Sequence, residues 1–322
     1  MKKYSIFLTF ALLVFFSCKK LSASVDSPKV EPVEELAPFN LQRAVQFDNR
    51  PIQSVYVSSH GKYYVGTLEG LDVYLPQYGE FGAIDNSFTR VITRMKEFNG
   101  RMFAINSKTD AIVSSSDGLN WRKEVQPGVP IIDYFVTPNQ TIVMLTEKGM
   151  YTHSPSEDQL RYYNFGNAPL QNLYVGSVEQ TDSGMLFVGN NLGLYRSQDQ
   201  GKSWTKLTQK SGAFEKVNLL YTDRNNRLLA IENYTSMVSS TDDGETWNQL
   251  FDLEHDAYRL IQDHENRFYL LTSYGVYVSE SNALYFHRLP LQDYTGSSYV
   301  LYNFSIWGNK VILSDGLSPD YS

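Results

Sequence analysis

A β-hairpin that keeps returning is the feature that most constrains this chain. Alternating apolar stretches broken by a tight turn occur at Ser54–Thr67 (SVYVSSHGKYYVGT), Met95–Ile105, Tyr134–Leu145, Val178–Gly189, Leu219–Ile231, Leu260–Leu271 and Phe304–Leu313. The turn anchors are Gly61, Gly100, Gln140, Gly184, Asn226, Asn266 and Gly308, spaced 39, 40, 44, 42, 40 and 42 residues apart. Strand, Gly/Asn turn, strand is the signal of a hairpin. A period of about forty residues with no helical periodicity between the hairpins is the arithmetic of a propeller.

The second half of each unit repeats too. GLYRSQDQGKSWTKL (193–207) aligns with GVYVSESNALYFHRL (275–289), while GMYTHS (149–154) and GLDVYL (70–75) begin the same third strand. Four strands per unit make a blade, so the expectation is an all-β, seven-bladed β-propeller of four-stranded antiparallel blades over residues 38–322. The seventh unit stops after KVILSDG (310–316), and PFNLQRAVQF (38–47) resembles its missing outer strand. An N-terminal strand completing the last blade would close the ring and remove free sheet edges.

Two strings stand in phase with this repeat. SQDQGKSW (197–204) and STDDGETW (240–247) both read S-x-D-x-G-x-[ST]-W, with Ser197, Asp199, Gly201 and Trp204 answering to Ser240, Asp242, Gly244 and Trp247. A looser copy runs from Ser114 to Trp121, with Gly118 in register and Asp117 displaced by one position; an eroded copy covers 279–286. The residue types describe a turn. Gly takes positive φ, a short Asp accepts bonds from turn N–H groups, and Trp buries apolar area between sheets. The pattern resembles the Asp-box, or BNR repeat, of sialidase-like propellers. That resemblance implies a structural role on the turn between third and fourth strands, away from the ligand face. A Ca²⁺ loop of the EF-hand kind would need more oxygen ligands and a distal Glu.

The N-terminus predicts export. Lys2 and Lys3 precede an apolar run from Ile6 to Phe16. A membrane-spanning helix needs roughly 20 apolar residues, whereas a run of eleven suits a signal peptide. It ends at Ser17-Cys18, and Cys18 is the sole cysteine. This resembles the lipobox of bacterial lipoproteins, although Phe15 and Phe16 stand where Leu and a small residue are commonest. It implies a signal peptide over 1–17, lipidation of Cys18, and a Pro/Glu-rich tether over 18–37. The expected place is the bacterial cell envelope, lipid-anchored in the outer membrane and facing the periplasm, with surface exposure as the alternative. Without Lys2 and Lys3, 26 basic residues face 35 acidic ones, a charge near −9. That speaks against nucleic-acid binding driven by phosphate contacts.

Little in the sequence points to chemistry. A sialidase-like activity would need an Arg-Ile-Pro motif, a Tyr–Glu pair and three arginines converging on a carboxylate. The nearest string is NRPIQS (49–54), with proline and isoleucine exchanged, and the arginines to test are Arg50, Arg90 and Arg259. Xyloglucan-cleaving relatives place paired carboxylates in a cleft between two propellers, and this chain has one. His60, His153, His255, His264 and His287 are isolated, so neither a metal nor a cofactor is expected. What remains is binding. Fourth-to-first and second-to-third strand loops share one propeller face, which should carry Arg50, Glu69, Arg90, Lys108, Asp110, Glu147, Asn190, Asn191, Glu232, Asn233, Tyr234 and Tyr274. The chain also resembles the single-propeller Asp-box proteins that include photosystem assembly factors, which implies a protein partner. A glycan-binding or glycoside-hydrolysing protein of a polysaccharide-utilisation system is the alternative. Three of four tryptophans are committed to the boxes, leaving few indoles for sugar stacking.

Overall fold

The computed structural model describes residues 50–315, apart from 85–86, 158, 166–172, 174, 210–211, 264, 280–284, 290–300 and 308–309. The chain divides into two compact units, Met1–Leu36 and Ala37–Ser322. Cys18, the tether and the strand expected at 38–47 lie outside the described residues, as does His264.

Six four-stranded antiparallel sheets follow one another along the chain, each ordered from inside to outside as the sequence runs. They cover 52–84, 92–125, 131–163, 176–206, 217–252 and 257–288. The innermost strands are Ile52–Val57, Ile92–Phe98, Ile131–Val136, Gly176–Gln180, Val217–Thr222 and Ala257–Gln262. Second and third strands are almost wholly buried, as in Leu228–Glu232, Phe268–Thr272 and Ala111–Ser115. Their runs of Val, Ile, Leu and Phe pack both sheet faces against neighbouring blades. Outer strands such as Arg122–Val125 are short and solvated.

The blade number corrects the expectation of seven. The fold is a six-bladed propeller: among the described residues the last repeat forms a two-stranded sheet, Leu301–Trp307 with Lys310–Asp315. A hairpin repeat reads identically in sequence whether or not two further strands follow it. This last hairpin touches both ends of the ring. Ser305 Oγ accepts from Val57 N in the first blade at 2.9 Å, and the Phe304 ring lies 5.8 Å from Tyr269 in the sixth.

Inner strands of adjacent blades are joined by side chains. Ser54 Oγ donates to Ile92 O (2.6 Å), Lys96 Nζ to Tyr134 O (2.8 Å) and Tyr134 Oη to Arg94 O (2.9 Å). Asp133 accepts from Val178 N (3.0 Å), Ser177 Oγ donates to Leu220 O (3.3 Å), and Asn218 Nδ2 to Ala257 O (3.0 Å). These bonds satisfy inner-edge backbone groups that have no strand partner. They also explain why polar residues sit in strands otherwise built for burial.

Candidate functional site

The repeated strings form closed local structures. Asp199 Oδ1 accepts from Ser203 N and Ser197 Oγ, both at 2.8 Å, while Oδ2 accepts from Ser203 Oγ at 2.6 Å. Asp242 makes the same set with Thr246 and Ser240 at 2.9, 2.8 and 2.6 Å. Ser197 and Ser240 each take the N–H of the box glycine at 2.8 Å. Despite some burial, bonds to Ser203 and Ser197 hold the Asp199 carboxyl below its ordinary value; the Thr246 bonds do the same for Asp242. Gly201 and Gly244 are left-handed (φ 84° and 79°). A Cβ at Gly201 would meet Thr152 Cγ2 at 2.8 Å, and one at Gly244 would meet Phe187 Cε1 at 2.9 Å. Both obstacles belong to the preceding blade. Trp204 and Trp247 are buried in apolar clusters shared with that blade.

The loose copy is read one residue off by sequence alignment. Ser115, rather than Ser114, donates to Asp117 Oδ1 (2.9 Å) and accepts from Gly118 N (2.9 Å). Asp117 Oδ1 then takes Asn120 N at 2.7 Å and Leu119 N at 2.8 Å. The turn is one residue shorter than its relatives, so serine and aspartate both shift while Gly118 and Trp121 keep their places. Ser114 faces Arg101 and Glu124 instead.

The loops on the opposite face are unlike one another. Arg50 is engaged by Asp72 Oδ2 at 2.7 Å and Glu69 Oε2 at 3.2 Å, within its own blade. Arg90, Lys108 and Asn233 are exposed, Asn191 half-buried. Asn190 departs from the expected surface position. It is fully buried, and its Oδ1 accepts from Leu192 N at 2.7 Å to hold its own turn. Glu232 is also buried and accepts from Glu215 N.

Blades five and six carry an aromatic patch on this face. Tyr258 and Tyr274 are 45% and 57% exposed. Tyr234 meets Tyr258 at 6.3 Å and 65°, and Tyr274 stacks on His255 at 4.6 Å. Lys216 Nζ lies 4.1 Å from the Tyr234 ring centre, and Arg288 lies 4.8 Å from that of Tyr274. Tyr234 is presented by a loop of three residues, 233–235, between paired Glu232 and Ser236; the fourth and sixth blades turn there with two. Asn233 and Tyr234 both have positive φ, 52° and 68°. An aromatic residue in that region is rare. It is held by Tyr234 N donating to Asn218 Oδ1 and Ala257 N donating to Tyr234 O, both at 2.9 Å.

The centre of the ring holds ionisable groups that the sequence did not single out as a cluster. Every blade contributes at least one from its inner strand: Tyr56, then Arg94, Lys96 and Glu97 from the second, then Asp133, Glu179, Tyr221 and Arg259. Lys96 Nζ pairs with Asp133 Oδ1 at 2.7 Å. Burial pushes Asp133 up, but Lys96 and Arg94 outweigh it and leave the carboxyl below its ordinary value. Burial pushes the Glu179 carboxyl up to about 8, with Asp133 adding to the effect and Lys96 opposing it. Burial and then the Arg94 charge bring Arg259 down to about 10. Tyr56 is raised above its usual range by burial and by Glu97. Tyr56 and Asp133, from blades one and three, oppose the lowering of Arg259. The Arg94 charge acts on Arg259, whereas Arg50 is held by Asp72 and Glu69 of its own blade.

A shallow recess of about 560 Å³ opens on the clasp face between blades two and four, with Phe98, Phe135, Pro138 and Asn139 in its wall. Among the described residues no group of three or more His, Cys, Asp or Glu side chains is placed to hold a metal ion. The charged inner-strand residues were visible as departures from apolar alternation, in TRMKE (93–97), IIDY (131–134), SVEQ (177–180) and YRL (258–260). Their convergence was not, since they occupy different registers.

Residues 136–257 match the family described as the DUF6242 beta propeller domain. No curated protein matches the chain in sequence. Among solved structures, it is similar to a catalytically inactive virginiamycin B lyase from Staphylococcus aureus with quinupristin, at a TM-score of 0.64 and 10% identity, covering 83% of this chain and 92% of that one. It is also similar to the extracellular domain of a candidate hybrid two-component system from B. thetaiotaomicron (TM-score 0.59, 13% identity, 80% of this chain and 36% of that one). A third is YCF48 bound to D1 peptide (TM-score 0.54, 17% identity, 70% and 75%). At these identities the likeness is one of fold.

Proposed function

We propose that this β-propeller is a binding domain of an envelope lipoprotein, anchored through Cys18, that holds a protein partner on the face bearing Tyr234, Tyr258 and Tyr274. The observation that carries this reading is the exposed aromatic patch over blades five and six, supported by a strained, hydrogen-bonded loop. Backbone strain kept in place by its surroundings accompanies functional sites, and exposed tyrosines anchored at their edges suit protein recognition.

The ring faces favour a protein over a glycan. Lys216 covers one face of Tyr234, and Arg288 and His255 crowd Tyr274. Tyr234 and Tyr258 meet edge to face, so the pair forms a corner for a side chain and no flat platform for a pyranose. YCF48 with its D1 peptide offers a fold-level parallel for peptide binding, and analogy of fold alone says nothing of the partner.

A photo-crosslinking residue at Tyr274 tests the reading in the producing cell, with Tyr78, 70% exposed on a turn of the clasp face, as the control. One discrete protein adduct from position 274, identified by mass spectrometry and absent from position 78, is the expected result. Adducts from position 78 alone, or equal adducts from both, would overturn it.

A further inference from the structure

The recess on the clasp face lies beside the one inner hairpin among the six blades that breaks the repeat. In blades one, three, four, five and six this hairpin turns through three residues. Gly61 N donates to Ser58 O, Gln140 N to Thr137 O, Gly184 N to Thr181 O, Asn226 N to Asp223 O and Asn266 N to Asp263 O, all at 2.8–3.2 Å. In four of these turns the first residue also caps with its side chain. Ser58 Oγ and Thr137 Oγ1 accept from Lys62 N and Thr141 N at 3.1 Å. Asp223 and Asp263 accept from Arg227 N at 2.8 Å and Arg267 N at 2.9 Å. Blade two turns through two residues, Asn99 and Gly100, both left-handed (φ 51° and 72°), between paired Phe98 and Arg101. Phe98 stands in the cap's place with a side chain that can cap nothing.

That ring is half-buried and meets the half-buried Phe135 of blade three at 4.9 Å and 70°. An edge-to-face pair makes a corner that a further side chain can fill, and about 560 Å³ of recess opens over it, a size that suits a ligand site. Amides fixed by the protein stand around the corner. Asn139 is held by Thr137 Oγ1 and by its own Nδ2 donating to Gln200 Oε1 of blade four at 2.7 Å. Gln180 Nε2 donates to Gly184 O at 3.0 Å. Each of these –NH2 groups carries a second hydrogen, which no acceptor takes among the described residues. The carboxylates of Glu97 and Asp182 line the recess and, among the described residues, no Lys or Arg does.

We propose that this recess is a second peptide site, seating one apolar side chain from a basic segment of a protein partner. The side chain fills the Phe98–Phe135 corner, and the spare amide hydrogens of Asn139 and Gln180 meet backbone carbonyls beside it. Glu97 and Asp182 draw a lysine or arginine flanking the anchor. Charge complementarity selects this occupant. An acidic segment, or a second copy of this chain with its net charge of −7, would set carboxylates against carboxylates. Where a local rule of the repeat is broken without gain to the scaffold, function is the expected reason. The site lies on the face opposite the tyrosine patch and stands independently of it.

Equilibrium dialysis of the full chain against N-acetyl-Lys-Phe-Lys-amide tests it, with the Glu-Phe-Glu and Lys-Ala-Lys peptides and maltose as comparisons. The Lys-Phe-Lys peptide should bind at least about tenfold more tightly than either other peptide. Phe98→Ala should abolish its binding, whereas Arg122→Gln on an outer strand should leave it intact. Asp182 is exposed, so Asp182→Asn should melt with the parent while narrowing the preference for lysine over glutamate; it decides the matter should Phe98→Ala not fold. Equal binding of the three peptides, maltose binding more tightly than the lysine peptide, or a preference untouched by either substitution would overturn the inference. Crosslinking at position 274 bears on the tyrosine face alone.

Discussion

The clasp turns and the channel both place carboxylates among polar neighbours, with opposite outcomes. In the turns around Asp199 and Asp242, each carboxylate oxygen meets a donor from its own loop, and the two copies agree to within 0.1 Å. Nothing is left over for a ligand. In the channel, ionisable groups from all six blades stand on inner strands at different registers and do not repeat. Residues that recur in phase saturate one another and build the scaffold. Residues that occur once and remain unsatisfied mark where something else must come.

The largest effect should fall on the clasps. Trp204→Ala or Trp247→Ala should cost about 3–5 kcal/mol of unfolding free energy in denaturant titrations, since each indole fills an apolar cluster between blades. A cost below about 1 kcal/mol would show that the clasp does not hold blades together.

Opposite pH responses sharpen the contrast. Glu179 has a folded pKa raised to about 8, so the folded state holds the proton more tightly than the unfolded chain. Its contribution is full below the unfolded value and disappears as pH rises through 8. Glu179→Gln should therefore gain about 2–4 kcal/mol on the parent between pH 5 and 8. For Asp199 and Asp242 the shift is downward, and their contribution should disappear as pH falls below about 4. Thermal melts across that range, parent against Glu179→Gln, would read both arms. A constant difference between the two proteins at all pH values would contradict the assignment.

Asp242→Ala should cost about 0.5–1.5 kcal/mol by removing the acceptor of Thr246 N and Ser240 Oγ, and Asp117→Ala a similar amount in the shorter turn. Smallest is Arg259→Gln, which should raise stability by about 1 kcal/mol because it relieves an unpaired confined charge. A fall of that size would show that Arg259 has a structural partner.

The blades are legible in the sequence because alternation and turn glycines state them locally. Their number is not, since Phe304–Leu313 has every mark of the other hairpins, yet among the described residues its sheet has two strands where the others have four. Ser114 falls where Ser115 belongs because register is set on Trp121 and Gly118, and a turn can shorten between serine and glycine without moving either anchor. Asn190 reads as a surface residue because asparagine in a turn usually is one; here its side chain folds inward onto Leu192 N. Tyr234 and Tyr274 are legible from their loop positions. Arg94, Glu179 and Asp133 belong to different repeats at different depths, and only ring closure brings them together.

Hydrogen exchange of the full chain, parent against Asp199→Ala, tests the division between clasp and binding face most directly. Exchange should quicken in the clasp turn 197–204, where Asp199 holds Ser203 N, with loop 233–235 unchanged. Faster exchange in loop 233–235 alone, or no change anywhere, would contradict it.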